Sequence, residues 1–406
     1  MEEWKDYCLG DLYEVHNGLS KGAKYFGSGY PFLSFKTVFN NYFLPPILPD
    51  LVQSDEKEQK GFDIKRGDVF VTRTSETPDE LGMSSVALID YPNATYNGFT
   101  KRLRPKKQTI VYPEFIGYYL RSTHFRGLFY NISSSMSTRA SLANGDLLEM
   151  KVTLPPYDVQ ERIASILRSL DSKIELNNRI NHNLEEQAQA LFKSWFVNFE
   201  PFNNGEFEDT EIGRIPKGWN VMPFKSFITA STEKVMVGEL PEYSVTNNGI
   251  IPRDQKFNKK LSQSTSKNKV LRHDNLVFGM SRDILNWGIM EDEIGSVSAA
   301  YNVYTINKDL IMPKYLRLYM MAKLPYFNDL IGTAAREGQG LDKGALNQKK
   351  VYIPSAEICL EFFNIYDRLI EMQKEVSLEA QQLADFRDYL IPHLLSGTIN
   401  SNSINV

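Results

Sequence analysis

Leu154-Pro155-Pro156-Tyr157 stands one residue away from the [Asp/Asn]-Pro-Pro-Tyr turn of amino-group methyltransferases. In that turn the first side chain accepts hydrogen bonds from the amine being methylated. Leu154 has no acceptor, and no glycine-rich loop follows a strand as an S-adenosylmethionine site needs. Residues 154–157 are therefore read as a strand-to-helix turn. Pro49-Asp50 followed by Glu58-Gln59-Lys60 has the letters of a metal-dependent nuclease. Yet Ser54-Asp55-Glu56-Lys57-Glu58-Gln59-Lys60 is a solvated charge run, not a strand that could hold a carboxylate beside a lysine on a metal. The sequence contains neither a phosphate-cradling GxxxxGK[ST] loop nor an HExxH pair. His16, His124, His182, His273 and His393 have no metal-ligand spacing. Cys8 and Cys359, the only cysteines, fit a reducing compartment and exclude a disulfide framework or a four-cysteine zinc site. The chemistry these residues leave is binding.

The residue types suited to binding a polyanion are plentiful. The first candidates are Lys21 and Lys24 in Ser20-Lys21-Gly22-Ala23-Lys24, Arg73 and Ser75, the basic run 101–107 with Lys101, Arg102 and Arg104, and Ser137, Thr138 and Arg139. A second set is Asn247 and Asn248, Arg253, Lys256, Lys259, Lys260, Arg282, Arg336, Gln339 and Lys343. Arginine and lysine reach phosphates or pair with guanine, and asparagine and glutamine pair with adenine, so these types permit a surface for double-stranded DNA without demonstrating one. For any one of them a solvated surface position is the competing explanation. Arg139 and Arg336 stand out because each lies in a Ser/Gly-rich loop just before a strand that leads into a long helix. The aromatics sit at strand and helix core spacing and are not read as base-stacking platforms.

Net charge is −4, which alone argues against such a partner. Its distribution reverses the argument: residues 1–156 and 201–355 hold 38 of the 46 basic residues, whereas 157–200 and 356–406 are net acidic. Hydrophobic content of 42% supports real cores, and 406 residues suggest two or three domains. No run of about 18 apolar residues spans a membrane and the N-terminus is acidic and polar, so the expected location is the cytoplasm.

The elements that would position these residues are organised by one helix. Ile163, Leu170, Asn177, Leu184 and Leu191 recur every seven residues, and Leu167, Ile174, Asn181, Ala188 and Trp195 form the companion row. That is a coiled-coil seam, and about 40 residues make a rod of roughly 60 Å. Asp158 and Glu161 resemble a capping box, and Glu200-Pro201 is expected to close the helix. A second seam runs through Phe362, Tyr366, Leu369, Val376, Leu383 and Leu390 to about Ser396-Gly397, with Pro392 expected to kink or fray its last turn.

The second seam is part of an internal repeat. Trp4 matches Trp219 at an offset of 215, residues 64–75 match 270–281 at 206, residues 111–120 match 311–320 at 200, and from 152 onward the offset stays at 199. Length varies inside the globular regions and not along the rods, because one inserted residue would rotate every later side chain off the seam. The expected fold is α+β: a globular region 1–156, a helix 157–200, a polar linker 201–217 opening a second globular region 201–355, a helix 356–397 and a tail 398–406. Phe32–Phe35, Asp68–Arg73, Ser84–Ile89 and Met150–Pro155 are expected strands, and the segments after Pro113 and Pro313 expected helices. Two such seams in one chain most simply pair with each other, antiparallel, with the polar Asn177, Asn181 and Gln373 penalising slipped registers.

This pattern resembles the specificity (S) subunit of type I restriction–modification systems. The resemblance covers nearly the whole chain. It is carried by Trp4 with Leu9-Gly10-Asp11-Leu12, Lys65-Arg66-Gly67-Asp68-Val69, Leu154-Pro155-Pro156 with Gln160-Glu161-Arg162-Ile163, and Leu394-Leu395-Ser396-Gly397. The second copy departs at Ala356–Glu361, which lacks the Gln-Glu pair. The resemblance implies two target-recognition domains, each reading half of a bipartite DNA site, on an intramolecular antiparallel coiled coil that sets the spacer. It implies two methyltransferase (M) subunits docked on the rods, binding S-adenosylmethionine and methylating adenine. It also implies that restriction (R) subunits, with ATP and Mg, can join, and that this chain is not itself an enzyme. A non-catalytic scaffold binding protein through two modules is the rival class.

Overall fold

The computed structural model describes residues 4–75, 80–107, 109–134, 140–236, 240–253, 267–281, 283–332, 340–399 and 401. The chain forms two compact units, one from residues 1–179 with 376–406, the other from residues 180–375. Each unit therefore holds one globular region, half of the central helix Tyr157–Phe196 and half of the C-terminal helix Ala356–Leu395.

The two globular regions share a topology. In the first unit Lys5–Cys8 pairs antiparallel with Lys151–Leu154, the strand that leads into the central helix. In the second, Asn220–Pro223 pairs in the same way with Lys350–Ile353. A four-stranded antiparallel sheet comes next in each. Its order is Tyr13–Asn17, Thr100–Pro105, Val69–Thr72, Ser84–Val86 in the first unit, and Ile228–Ser231, Asn302–Ile306, Leu276–Phe278, Trp287–Ile289 in the second. Helices Pro113–Tyr119 and Pro313–Ala322 both begin with proline, whose missing N–H would have been unpaired there anyway.

The structure corrects the repeat alignment by one residue. In the turn Lys65–Asp68, the Lys65 N–H donates to Asp68 Oδ2 at 2.8 Å and Gly67 has φ of 89°. In Arg272–Asn275, the Arg272 N–H donates to Asn275 Oδ1 at 2.9 Å and Asp274 has φ of 65°. Asp68 thus corresponds to Asn275 and Gly67 to Asp274. A Gly67→Ala change meets nothing closer than Pro105 Cγ at 3.4 Å, so backbone strain alone should set its cost. About 1 kcal/mol of destabilisation is expected, read from chemical denaturation.

The copies differ after their first strands. In the first unit Ser34 ends the strand Phe26–Leu33 and caps the helix Phe35–Asn40, so Phe32–Phe35 is a strand end and a helix start rather than a strand. The chain then covers the sheet edge: Val86 N–H donates to Tyr42 O, and Leu44 N–H to Val86 O. The second unit has a hairpin here, Tyr243–Thr246 with Gly249–Pro252.

The central helix ends at Phe196, before the expected Glu200, with Phe199 left-handed at φ of 59° and a 3₁₀ turn at Glu200–Phe202. Its first helical residue is Tyr157, so Asp158 lies inside the first turn and does not cap it. The C-terminal helix runs through Pro392 to Leu395. The fraying expected at Pro392 does not occur, because Leu390, Ile391, Leu394 and Leu395 are anchored in the core of the first unit.

Candidate nucleic-acid interface and helix pair

The family-type residues are brought together by packing. Gln160 is buried, and its amide knits the start of the central helix to the globular region. Its Oε1 accepts from Tyr112 N–H at 2.9 Å, and its Nε2 donates to Ile110 O at 3.0 Å and Pro155 O at 2.9 Å. The equivalent residue in the second copy is Cys359, buried among apolar side chains, with its thiol pKa pushed to about 11 by that burial. The second helix start therefore rests on apolar packing. At the other ends, Gly397 lies against the Trp4 indole, where a Cβ would come within 3.1 Å. In the second unit Phe196, Phe199 and Phe202 surround Trp219 at 5.4–5.9 Å between ring centroids. Trp4 and Trp219 are thus each covered by the end of the helix that starts in the other unit.

Within each unit the two helices run antiparallel. In the first, Arg387 Nη1 donates to Asp171 Oδ1 at 2.8 Å, and Asn177 Nδ2 to Glu379 Oε2 at 2.8 Å. Lys173 pairs with the same Glu379 at 3.4 Å. The Tyr118 hydroxyl donates to the Asp171 carboxylate, tying the globular region to both helices at one point. In the second unit Phe362 packs on Phe192, Trp195 and Phe196. Ile163, Leu167, Leu170, Leu184, Phe362 and Leu390 are buried, and Ile174, Asn181, Leu191, Tyr366, Leu369, Val376 and Leu383 half-buried. Asn177, 1% exposed, is the buried polar layer. Asn177→Leu should raise stability by about 1 kcal/mol, measured by thermal unfolding, while loosening the register that the asparagine enforces.

Of the candidate DNA contacts in the first unit, Lys24 is exposed. Lys21 is held by Glu58 at 2.6 Å and reaches Gln53 O. Arg73 is half-buried on Gly98 O, and the strand Thr74–Ser75 that follows it pairs with Ala140–Ser141. The basic run 101–107 is corrected, because its first residues lie on an inner strand of the sheet. Lys101 is 4% exposed and donates to the Asn144 side chain; burial and then Arg73 push its pKa down. Arg102, also 4% exposed, donates to Asp63 at 2.7 Å. Arg104 grips Asp68 through Nε and Nη2 at 2.7 and 2.6 Å and also reaches Asp63. These arginines hold the fold together.

In the second unit Asn247 and Asn248 are exposed at the hairpin turn, where Asn248 N–H donates to Thr246 Oγ1. Arg253 donates to Ser244 Oγ at 2.9 Å. Lys343 is exposed at the start of helix Lys343–Gln348, close enough to Lys269 to depress its pKa after burial has done so. Lys269 pairs with Lys234 through a backbone β-bridge, and its own ammonium donates to Tyr301 O, placements that sequence reading did not foresee. Ser137, Thr138, Arg139, Lys256, Lys259, Lys260, Arg282, Arg336 and Gln339 lie outside the described residues. Sequence reading also missed Tyr25, Phe26 and Tyr30, which are 37%, 38% and 44% exposed. The signal available was two aromatic stretches broken by Gly27-Ser28-Gly29. Among the described residues no acidic, histidine or cysteine cluster could hold a metal, and no helix is long and apolar enough to cross a membrane.

Two copies of one sheet, each joined to paired long helices, define a class of two-module proteins on a coiled-coil spine. A family model described as the type I restriction modification DNA specificity domain matches residues 1–186. The MjaIX specificity subunit of Methanocaldococcus jannaschii is 24% identical over 98% of this chain and 94% of its own. The HindI specificity subunit of Haemophilus influenzae is 26% identical over 98% of this chain and 100% of its own. The fold matches the solved S subunit from M. genitalium at a TM-score of 0.55, with 12% identity over 97% and 96% of the two chains. A chain described under complex assembly and conformational transition of the type I R-M system matches at 0.51, with 11% identity over 97% of each. Over nearly its whole length the chain is similar in sequence to specificity subunits of type I restriction–modification systems, and the matched domain model lies in its first half.

Proposed function

We propose that this chain is the subunit that chooses the DNA sequence for a type I restriction–modification complex. Each globular region reads one half of a bipartite, asymmetric site on double-stranded DNA, and the paired helices fix the spacing between the halves. The rods dock two methyltransferase subunits, which bind S-adenosylmethionine and methylate adenine. Restriction subunits, bringing ATP and Mg, join the same assembly. The observation that carries this reading is the duplicated sheet, identical in strand order, on helices whose matched length is kept while the loops of the globular regions vary. Two similar readers with different surface side chains suit two different half-sites.

Co-expression with the cognate methyltransferase subunit and genome-wide mapping of N6-methyladenine tests it. A two-part motif should appear, and exchanging residues 1–150 for those of another family member should change one half alone. Methylation that does not depend on this chain, or a change in both halves, would sink the reading. Stable capture of the methyltransferase with no effect on the motif would favour a protein-binding scaffold.

A further inference from the structure

We propose that the bulged ribbon Lys24–Tyr30 is the part of the first unit that enters a DNA groove and sets its half-site; this rests on the DNA-reading function above. The strand Phe26–Leu33 pairs with Asp50–Val52, but Phe26 and Tyr30 both face Val52, so Gly27-Ser28-Gly29 loops out between them. Gly27 and Gly29 have φ of 92° and 104°, which glycine alone adopts without strain. At Gly29 a Cβ would lie 2.5 Å from Val52 O. Ser28 Oγ accepts from Gln53 Nε2 at 3.1 Å, which pins the loop to its partner strand.

This geometry turns three rings outward. Tyr25, Phe26 and Tyr30 are exposed at the two shoulders of the bulge, although rings of that size are normally placed inside. Bulges commonly re-aim side chains at functional sites. Lys24 and Lys21 lie 5.0 and 5.2 Å from the Tyr25 ring centroid, and Lys24 has no carboxylate partner among the described residues. Exposed apolar rings beside an unneutralised cation, on the end of a three-stranded sheet where only Asp50–Val52 flanks the bulged strand, match a DNA groove in three respects. The major groove is wide enough for a ribbon, its thymine methyls and base edges accept apolar contact, and its phosphate walls accept Lys24. The rings therefore carry sequence preference and the lysine carries affinity.

The test uses the complex of this chain with its methyltransferase subunits. Binding to a duplex bearing the mapped motif and to a random duplex is measured by fluorescence anisotropy across a salt series. Tyr25→Ala and Tyr30→Ala should each weaken the cognate duplex by about tenfold to a hundredfold, leave the random duplex unchanged, and relax one half of the methylation motif. Tyr25→Phe should retain the preference. Lys24→Ala should weaken both duplexes alike and reduce the salt slope by about one. Phe26 also packs on Phe32, so Phe26→Leu replaces truncation there, and unchanged thermal midpoints show that the variants fold. Wild-type preference in Tyr25→Ala and Tyr30→Ala overturns the ribbon assignment while the wild-type motif still supports the broader function. Weakened methyltransferase binding, with both halves of the motif unaltered in the methylation that remains, overturns it too, marking the ribbon as a protein-contact surface. If wild-type chain directs no motif at all, the broader function is what fails.

Discussion

Asp68→Ala is expected to destabilise the first globular region by about 3 kcal/mol, because it removes the buried carboxylate that grips Arg104 and leaves that half-buried arginine only Asp63 as counter-charge. The Asp68 side chain is 1% exposed and accepts two bonds from Arg104 and one from the Lys65 N–H. Asp63 joins the cluster through Arg102 and Arg104. Asp68→Asn should cost less, since an amide can keep the turn bond, as Asn275 does in the second unit. That unit has Thr305 and Val303 where the first has Arg104 and Arg102, by strand register. Asp68→Asn with Arg104→Thr should therefore recover part of the loss. Hydrogen exchange followed on peptides from 63–104 would read the effect in the first unit alone. Full protection in Asp68→Ala would show that the cluster is not structural.

The same cluster predicts a pH dependence. Burial would raise the Asp63 pKa, but Arg104 and Arg102 outweigh it and hold the carboxyl below its ordinary range. A depressed carboxylate contributes stability that is full above the unfolded value, near 3.9, and is lost as pH falls through the folded value. Acid should therefore weaken the first unit's sheet below about pH 4, and not through the neutral counterpart positions in the second.

These arginines show where sequence reading stops. Lys101-Arg102-Leu103-Arg104 reads as a surface run because its charges are closely spaced. Alternation along a strand puts Arg102 and Arg104 on one face, and their partners Asp63 and Asp68 come from a turn about 40 residues earlier, a pairing that only the fold reveals. The helices were legible because a 3.5-residue repeat over 40 residues admits few alternatives. Their ends were less so, since Leu390–Leu395 packs firmly enough to carry the helix across Pro392. The Tyr25–Tyr30 rings read as core in the sequence because ring composition is the same in a buried strand and an exposed one; the two glycines at positive φ decide between them.

Removing matched heptads from both helices should move the two half-sites about three base pairs closer. His182–Ala188 and Leu369–Glu375 face each other in an antiparallel pair in register with Trp195 on Phe362. Each deletion removes two helical turns, about 10 Å at 1.5 Å per residue, and keeps later side chains on the seam. At 3.4 Å per base pair that is close to three pairs of DNA. The double deletion should therefore support methylation at the same half-sites with a shorter spacer. Removing only His182–Ala188 is different: it pulls Trp195 and Phe196 away from Phe362 while the contacts of Asp171 with Arg387 and Asn177 with Glu379 hold the other end. The single deletion should lose assembly, because both sets of contacts cannot be satisfied by helices of unequal length. Methylome mapping separates the outcomes. An unchanged spacer in an active double-deletion complex would mean that something other than these helices measures the distance.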